Sequence, residues 1–141
     1  MGSSQHEISA PPSVRGWLLL LCGLLLVGQP VAIGLTASSV LDAVPLRGLQ
    51  LALLLAARVL ATGVGIAAGI AILRRGGHAL AVAKTGLTLS AVVDVVVYAT
   101  PYFPNNRPPG ETPLYLTASL AYYAIWMTYL TRSQRVRRTL S

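Results

Sequence analysis

Apolar residues in this chain are gathered into four long runs, at 17–35, 49–73, 79–99 and 114–131, separated by shorter polar or turn-rich breaks. None of the runs alternates with the period of a half-buried strand, and each approaches the roughly 20 residues that a helix needs to cross hydrocarbon. A backbone in lipid must satisfy its amides within its own segment, so the runs predict four transmembrane helices. The expected fold is an all-α integral membrane four-helix bundle covering 17–131. A polar segment at 1–16, with Pro11 and Pro12 in tandem, is expected to be disordered, and a basic tail at 132–141 follows the last helix.

The breaks differ in kind. TASSVLDAVPLRG, from Thr36 to Gly48, and the proline-rich TPYFPNNRPPGETP, from Thr100 to Pro113, read as turn-rich connections, whereas RRGGH at 74–78 is very short. Gly28, Gln29 and Pro30 together predict a kink late in the first helix, with Gln29 offering a polar niche at membrane depth. The first run exceeds the apolar core of about 7–15 residues typical of a cleaved signal, so it reads as a retained span.

Composition agrees with lipid as the solvent. Charged residues make up 11% of the chain, against about 25% in soluble domains, too few to coat a globule. The formal net charge of +7 raises the question of nucleic acid, but the basic residues cluster at the ends of the runs, as membrane topology requires. With an even number of spans both termini share one side, together with Arg15, Arg74, Arg75, Arg132, Arg135, Arg137 and Arg138, while only Arg47 and Arg107 fall opposite. That asymmetry predicts cytoplasmic termini and residence in the cell's inner membrane. Trp17, Trp126 and Tyr129 then mark the inner boundary, and Tyr98, Tyr102, Phe103 and Tyr115 the outer one. Tyr115, Tyr122, Trp126 and Tyr129 share one side of the fourth helix, a pattern read as anchoring and packing before ligand stacking.

Two charges lie inside the runs. Arg58 costs about 2.5–3.5 kcal/mol at a helix centre and needs a partner. It stands 18 residues before Gly76, and Asp94 stands 18 after it. A hairpin with so short a turn brings the two to one depth. Arg58 shares a stripe with Ala61, Gly65 and Gly69, and Asp94 shares one with Ser90 and Gly86. Small residues allow close helix approach in lipid, so the stripes are expected to face each other and join Arg58 to Asp94 as an intramembrane ion pair. Such a pair either locks the hairpin or lines a path for protons, ions or solute, and neutralisation favours the lock.

Catalytic and metal-binding patterns are missing. The acidic residues Glu7, Asp42, Asp94 and Glu111 are scattered, His6 and His78 lie outside the runs, Cys22 is the only cysteine, and no P-loop, GxSxG or HExxH occurs. The chain is therefore expected to be no enzyme and to need no cofactor or metal.

YLTRSQRVRRTL, Tyr129 to Leu140, and GWLLLLCGLLLVGQP, Gly16 to Pro30, resemble the two ends of the DUF2569 family of small bacterial four-span membrane proteins. The match lies in Ser133-x-Arg135-Val136, in the Gly-Trp-Leu start and in the proline late in span one. Leu140 departs from it, where that family usually carries an aromatic residue. The resemblance implies the four-span architecture and no activity. Arg132, Arg135, Arg137 and Arg138 are expected to bind anionic lipid headgroups or an acidic partner. The function expected from these features is that of an accessory or scaffolding subunit holding another membrane protein or a second copy of the chain. The alternative is a small transporter or channel using Arg58 and Asp94.

Overall fold

The computed structural model describes residues 14–101 and 110–140, and no strand occurs among them. Helix α1 (Trp17–Gly23) passes through a π-helical turn (Leu24–Gly28) into α2 (Gln29–Leu73), followed by α3 (Ala79–Ala99), α4 (Thr112–Arg132) and the short α5 (Gln134–Leu140). Three stretches are long and apolar enough to cross a membrane: Trp17–Leu35, Gly48–Leu73 and Ala79–Ala99, called spans one to three below. Helix α4 equals α3 in length at 21 residues, but Thr117, Ser119, Thr128 and Thr131 and the tyrosines between them dilute its apolar character.

The proline kink takes a definite form. Pro30 has no amide to give, and the helix loosens by one residue just before it. The Gln29 N–H reaches back five residues to the Leu24 carbonyl, the register of a π turn. The expected break at 36–48 is corrected. Helical geometry continues through Pro45, and the reversal is concentrated at Gly48, whose φ of 69° and ψ of −155° suit only glycine. Val40, buried in a cluster with Leu51, Ala61, Val93 and Val97, shows what stabilises the extension. Tertiary packing here overrides weak local turn signals.

At the other end of the hairpin, the Gly76 N–H bonds to Ala71 O at 3.0 Å and the Arg75 N–H to Ile72 O at 3.1 Å. This paired pattern closes a helix with its C′ residue left-handed. Arg75, at φ 52°, holds that position, one residue ahead of the glycine that would fit it best.

The main core collects around this turn. Leu18, Leu21, Leu25, Ile72, Leu87 and Leu130 are all at most 1% exposed. The last residues belong to the same core: α5 folds back and buries Val136 and Leu140 there, with the Val136 N–H bonded to Ser133 Oγ at 3.4 Å. Residues 134–140, expected as a plain basic tail, are thus an amphipathic helix that closes over this core, its arginines outward. Of the opening segment only Val14–Gly16 are described, so the expectation of disorder at 1–13 lies outside the described residues, as do the placements of Tyr102, Phe103 and Arg107.

Candidate functional site

Spans two and three form the tight antiparallel hairpin that the five-residue turn dictates, and this sets Arg58 beside Asp94. Arg58 Nη1 lies 3.6 Å from Asp94 Oδ1, and the side chains are 21% and 17% exposed. Neither charge is sealed in. Asp94 Oδ2 accepts hydrogen bonds from Ser119 Oγ at 3.0 Å and Tyr123 Oη at 2.8 Å, both on α4. One carboxylate therefore ties together spans two and three and α4.

A second polar link joins spans one and three, with Gln29 Nε2 donating to Ser90 Oγ at 3.2 Å. Gln29 Oε1 is buried with no hydrogen-bond partner and lies over Gly65, where a Cβ would collide with it. Glycine at 65 is what lets the amide enter. The π turn and Pro30 next to Gln29 are the local devices that aim this side chain inward.

These groups surround an open cleft of about 410 Å³ between span one and α4. Leu24, Gly28, Ala32 and Ile33 line it on one side and Tyr115, Ala118, Ser119 and Tyr122 on the other, with Arg58, Ala61 and Asp94 at its back. Helix α4 packs along α3 and closes onto span one through Trp126 and Trp17, whose ring centroids lie 6.2 Å apart. The cleft lies beyond that contact, in the half of the molecule away from the 74–78 turn.

The small residues of the two expected stripes are divided between two interfaces. Gly86 sits against Val64 and the Gly65 backbone, as a face between spans two and three requires. Gly65 and Gly69, however, receive Gln29 and Leu26 from span one. Ala61 is buried and lines the cleft, and Ser90 is occupied by Gln29. On α4, Trp126 packs edge-on against Tyr122 at 6.4 Å and Tyr129 at 6.0 Å, so most of the aromatic stripe is packing. Arg132, Arg135, Arg137 and Arg138 are exposed at the opposite end of the molecule, far from the ion pair, with Arg137 Nη2 bonded to Thr131 O at 3.1 Å.

Sequence reasoning missed Ser119 and Tyr123, although they stand four apart on one face of α4, inside the fourth apolar run. No three His, Cys, Asp or Glu side chains gather into a metal-binding group among the described residues. Comparison with known proteins finds no matching family model, no matching curated protein and no matching solved structure.

Proposed function

We propose that the protein is a small multi-pass membrane protein that takes a polar solute into this cleft and works as a transporter or channel unit. The carrying observation is that Arg58 and Asp94 line an open cleft of about 410 Å³ instead of being packed dry. Ionisable groups inside a membrane domain mark substrate or ion pathways, and a cleft this size falls within the range of about 300–1,000 Å³ typical of small-molecule sites. In this reading α4 is the fourth span: its length, its bonds to Asp94 and the inward aim of its hydroxyls support that. Arg15, Arg74, Arg75, Arg132, Arg135, Arg137 and Arg138 are exposed at the end of the 74–78 turn, which supports cytoplasmic termini in a cell inner membrane and a cleft opening toward the other face. The likeness of both chain ends to DUF2569 proteins accords with the same four-span plan.

The accessory-subunit reading stands second. It needs spare small-residue faces, and Gly65, Gly69 and Gly86 are each met by atoms of this chain.

Cysteine accessibility tests the proposal. In a Cys22→Ala background, Ala118→Cys in the cleft should react with a charged, membrane-impermeant thiol reagent applied from outside right-side-out vesicles. Ile125→Cys, on the outward face of α4, should not. An unreactive Ala118→Cys, or equal reaction at both positions, removes the water-filled cleft and the transport reading with it.

A further inference from the structure

We infer that the cleft is a site for a zwitterion, a small molecule or headgroup carrying one ammonium and one carboxylate or phosphate. The inference rests on the reading of the cleft as a binding site and names what it takes.

Among the described residues the cleft is lined by one cation and one anion, whose charged atoms are 3.6 Å apart, so this lining is neutral overall but strongly dipolar. A lone anion drawn to Arg58 meets Asp94 at the same point, and a lone cation drawn to Asp94 meets Arg58. Each gains one attraction that is offset in part by repulsion from the other charge only a few ångströms further off. A zwitterion escapes this. Laid antiparallel to the pair, it sets its anionic group on the guanidinium and its ammonium on the carboxylate. The short separation between the two protein charges suits charges a few bonds apart on one small molecule.

The uncharged lining favours the same arrangement. Ser119 and Tyr123 both donate to Asp94 Oδ2, which holds the carboxylate in place as an acceptor for an incoming ammonium. Tyr122 lies beside Tyr123, ring centroids 5.1 Å apart, and tyrosine faces attract alkylammonium groups. Gln29, also in the lining, adds an amide and no charge. A neutral polyol exchanges its water for hydrogen bonds of equal quality and gains little.

A zwitterion can arrive from two sources, a dissolved amino-acid-like solute or the headgroup of phosphatidylethanolamine in the surrounding bilayer. The test uses the full chain in nanodiscs of phosphatidylglycerol alone, titrated with alanine, glycine betaine, propylammonium, propionate and glycerol, with binding read by calorimetry. A parallel set adds phosphatidylethanolamine and reads its retention by the protein after detergent extraction. Zwitterions should bind at least about tenfold more tightly than the singly charged analogues and glycerol, the scale set by leaving one buried charge unmatched. Asp94→Asn should shift preference to propionate and Arg58→Gln to propylammonium, whereas Arg58→Lys should keep the zwitterion preference and show that the charge, not the fold, is being read. Phosphatidylethanolamine retained in place of the dissolved zwitterions, and lost in Asp94→Asn, assigns the lipid as the source. Glycerol binding as well as alanine, or selectivity unmoved by both charge-removing variants, overturns the inference. If Ala118→Cys reacts while no zwitterion binds, the ligand class falls and the open cleft stands; if Ala118→Cys is silent, both fall.

Discussion

The two halves of this helical domain are built from the same helices and solve different problems. Toward the 74–78 turn, α1 to α5 and the π turn converge on a dry core in which Leu21, Leu25, Ile72, Leu87 and Leu130 are fully buried, with Trp126 as the lid on α4. Past Trp126 the same helices turn Gln29, Arg58, Ser90, Asp94, Ser119 and Tyr123 inward around a cleft. In lipid an apolar side chain is equally at home inside or outside, so burial alone does not pull it inward. A polar side chain has no such choice. The hollow half is therefore set by residues that tolerate only the interior, whereas the closed half has the mutual packing that fixes the helices.

The largest expected effect comes from two neighbours on opposite sides of this divide. Leu25 is fully buried in the closed half, and Leu24 lines the cleft. Leu25→Ala opens a void that nothing can fill and should cost about 2–5 kcal/mol. Leu24→Ala enlarges a space that already exists and should cost about 1 kcal/mol, near the centre of ordinary substitutions. Reversible unfolding of both variants in mixed micelles measures the contrast. Equal losses would mean that the cleft wall is packed as tightly as the core and that the division into halves is wrong.

A smaller effect tests where the halves meet. Gly65→Ala forces a Cβ onto Gln29 Oε1 and should expel the amide, breaking its bond to Ser90. The expected loss is about 1–2 kcal/mol, combining a strained contact with a lost buried hydrogen bond. Gly63, one residue beyond the next on the same helix, has nothing within 4 Å of an added Cβ. Gly63→Ala should therefore be neutral or stabilising by up to about 1 kcal/mol through helix propensity. Thermal unfolding separates the two, and equal stability of the pair would show that Gln29 does not need its niche at Gly65.

What could be read from the residues alone follows the same divide between short-range and long-range constraint. Run length alone gave spans one to three, and the five-residue turn left the Arg58 and Asp94 depths no freedom relative to Gly76. The reversal lies at Gly48, the last residue of the break expected at 36–48; Thr36 to Leu46 has the composition of a turn, and only the packing of Val40 in a cluster with Leu51, Val93 and Val97 reveals its helix. The partners Ser119 and Tyr123 were hidden for a different reason. A connection as long as the one before α4 leaves that helix free to rotate and slide, so no register argument can aim its hydroxyls at Asp94. The fold-back of α5 was legible in part: Val136 and Leu140 stand four apart between arginines, the spacing of a buried helical edge.

The smallest effect concerns the turn on which the closed half is anchored. Arg75 adopts φ 52°, a conformation in which Cβ crowds the following carbonyl at a cost of about 1–2 kcal/mol. Arg75→Gly removes that crowding while enlarging the freedom of the unfolded chain, and the balance should stabilise the protein by about 0.5–1 kcal/mol. The bonds from Gly76 and Arg75 to Ala71 and Ile72 need only the backbone, so they survive the change. The other arginines at this end keep the charge asymmetry. A rise in melting temperature with unchanged Ala118→Cys labelling would show that the closed half can be tightened without touching the cleft. A fall would mean that the Arg75 side chain itself holds the turn, and that the two halves are coupled through more than their packing.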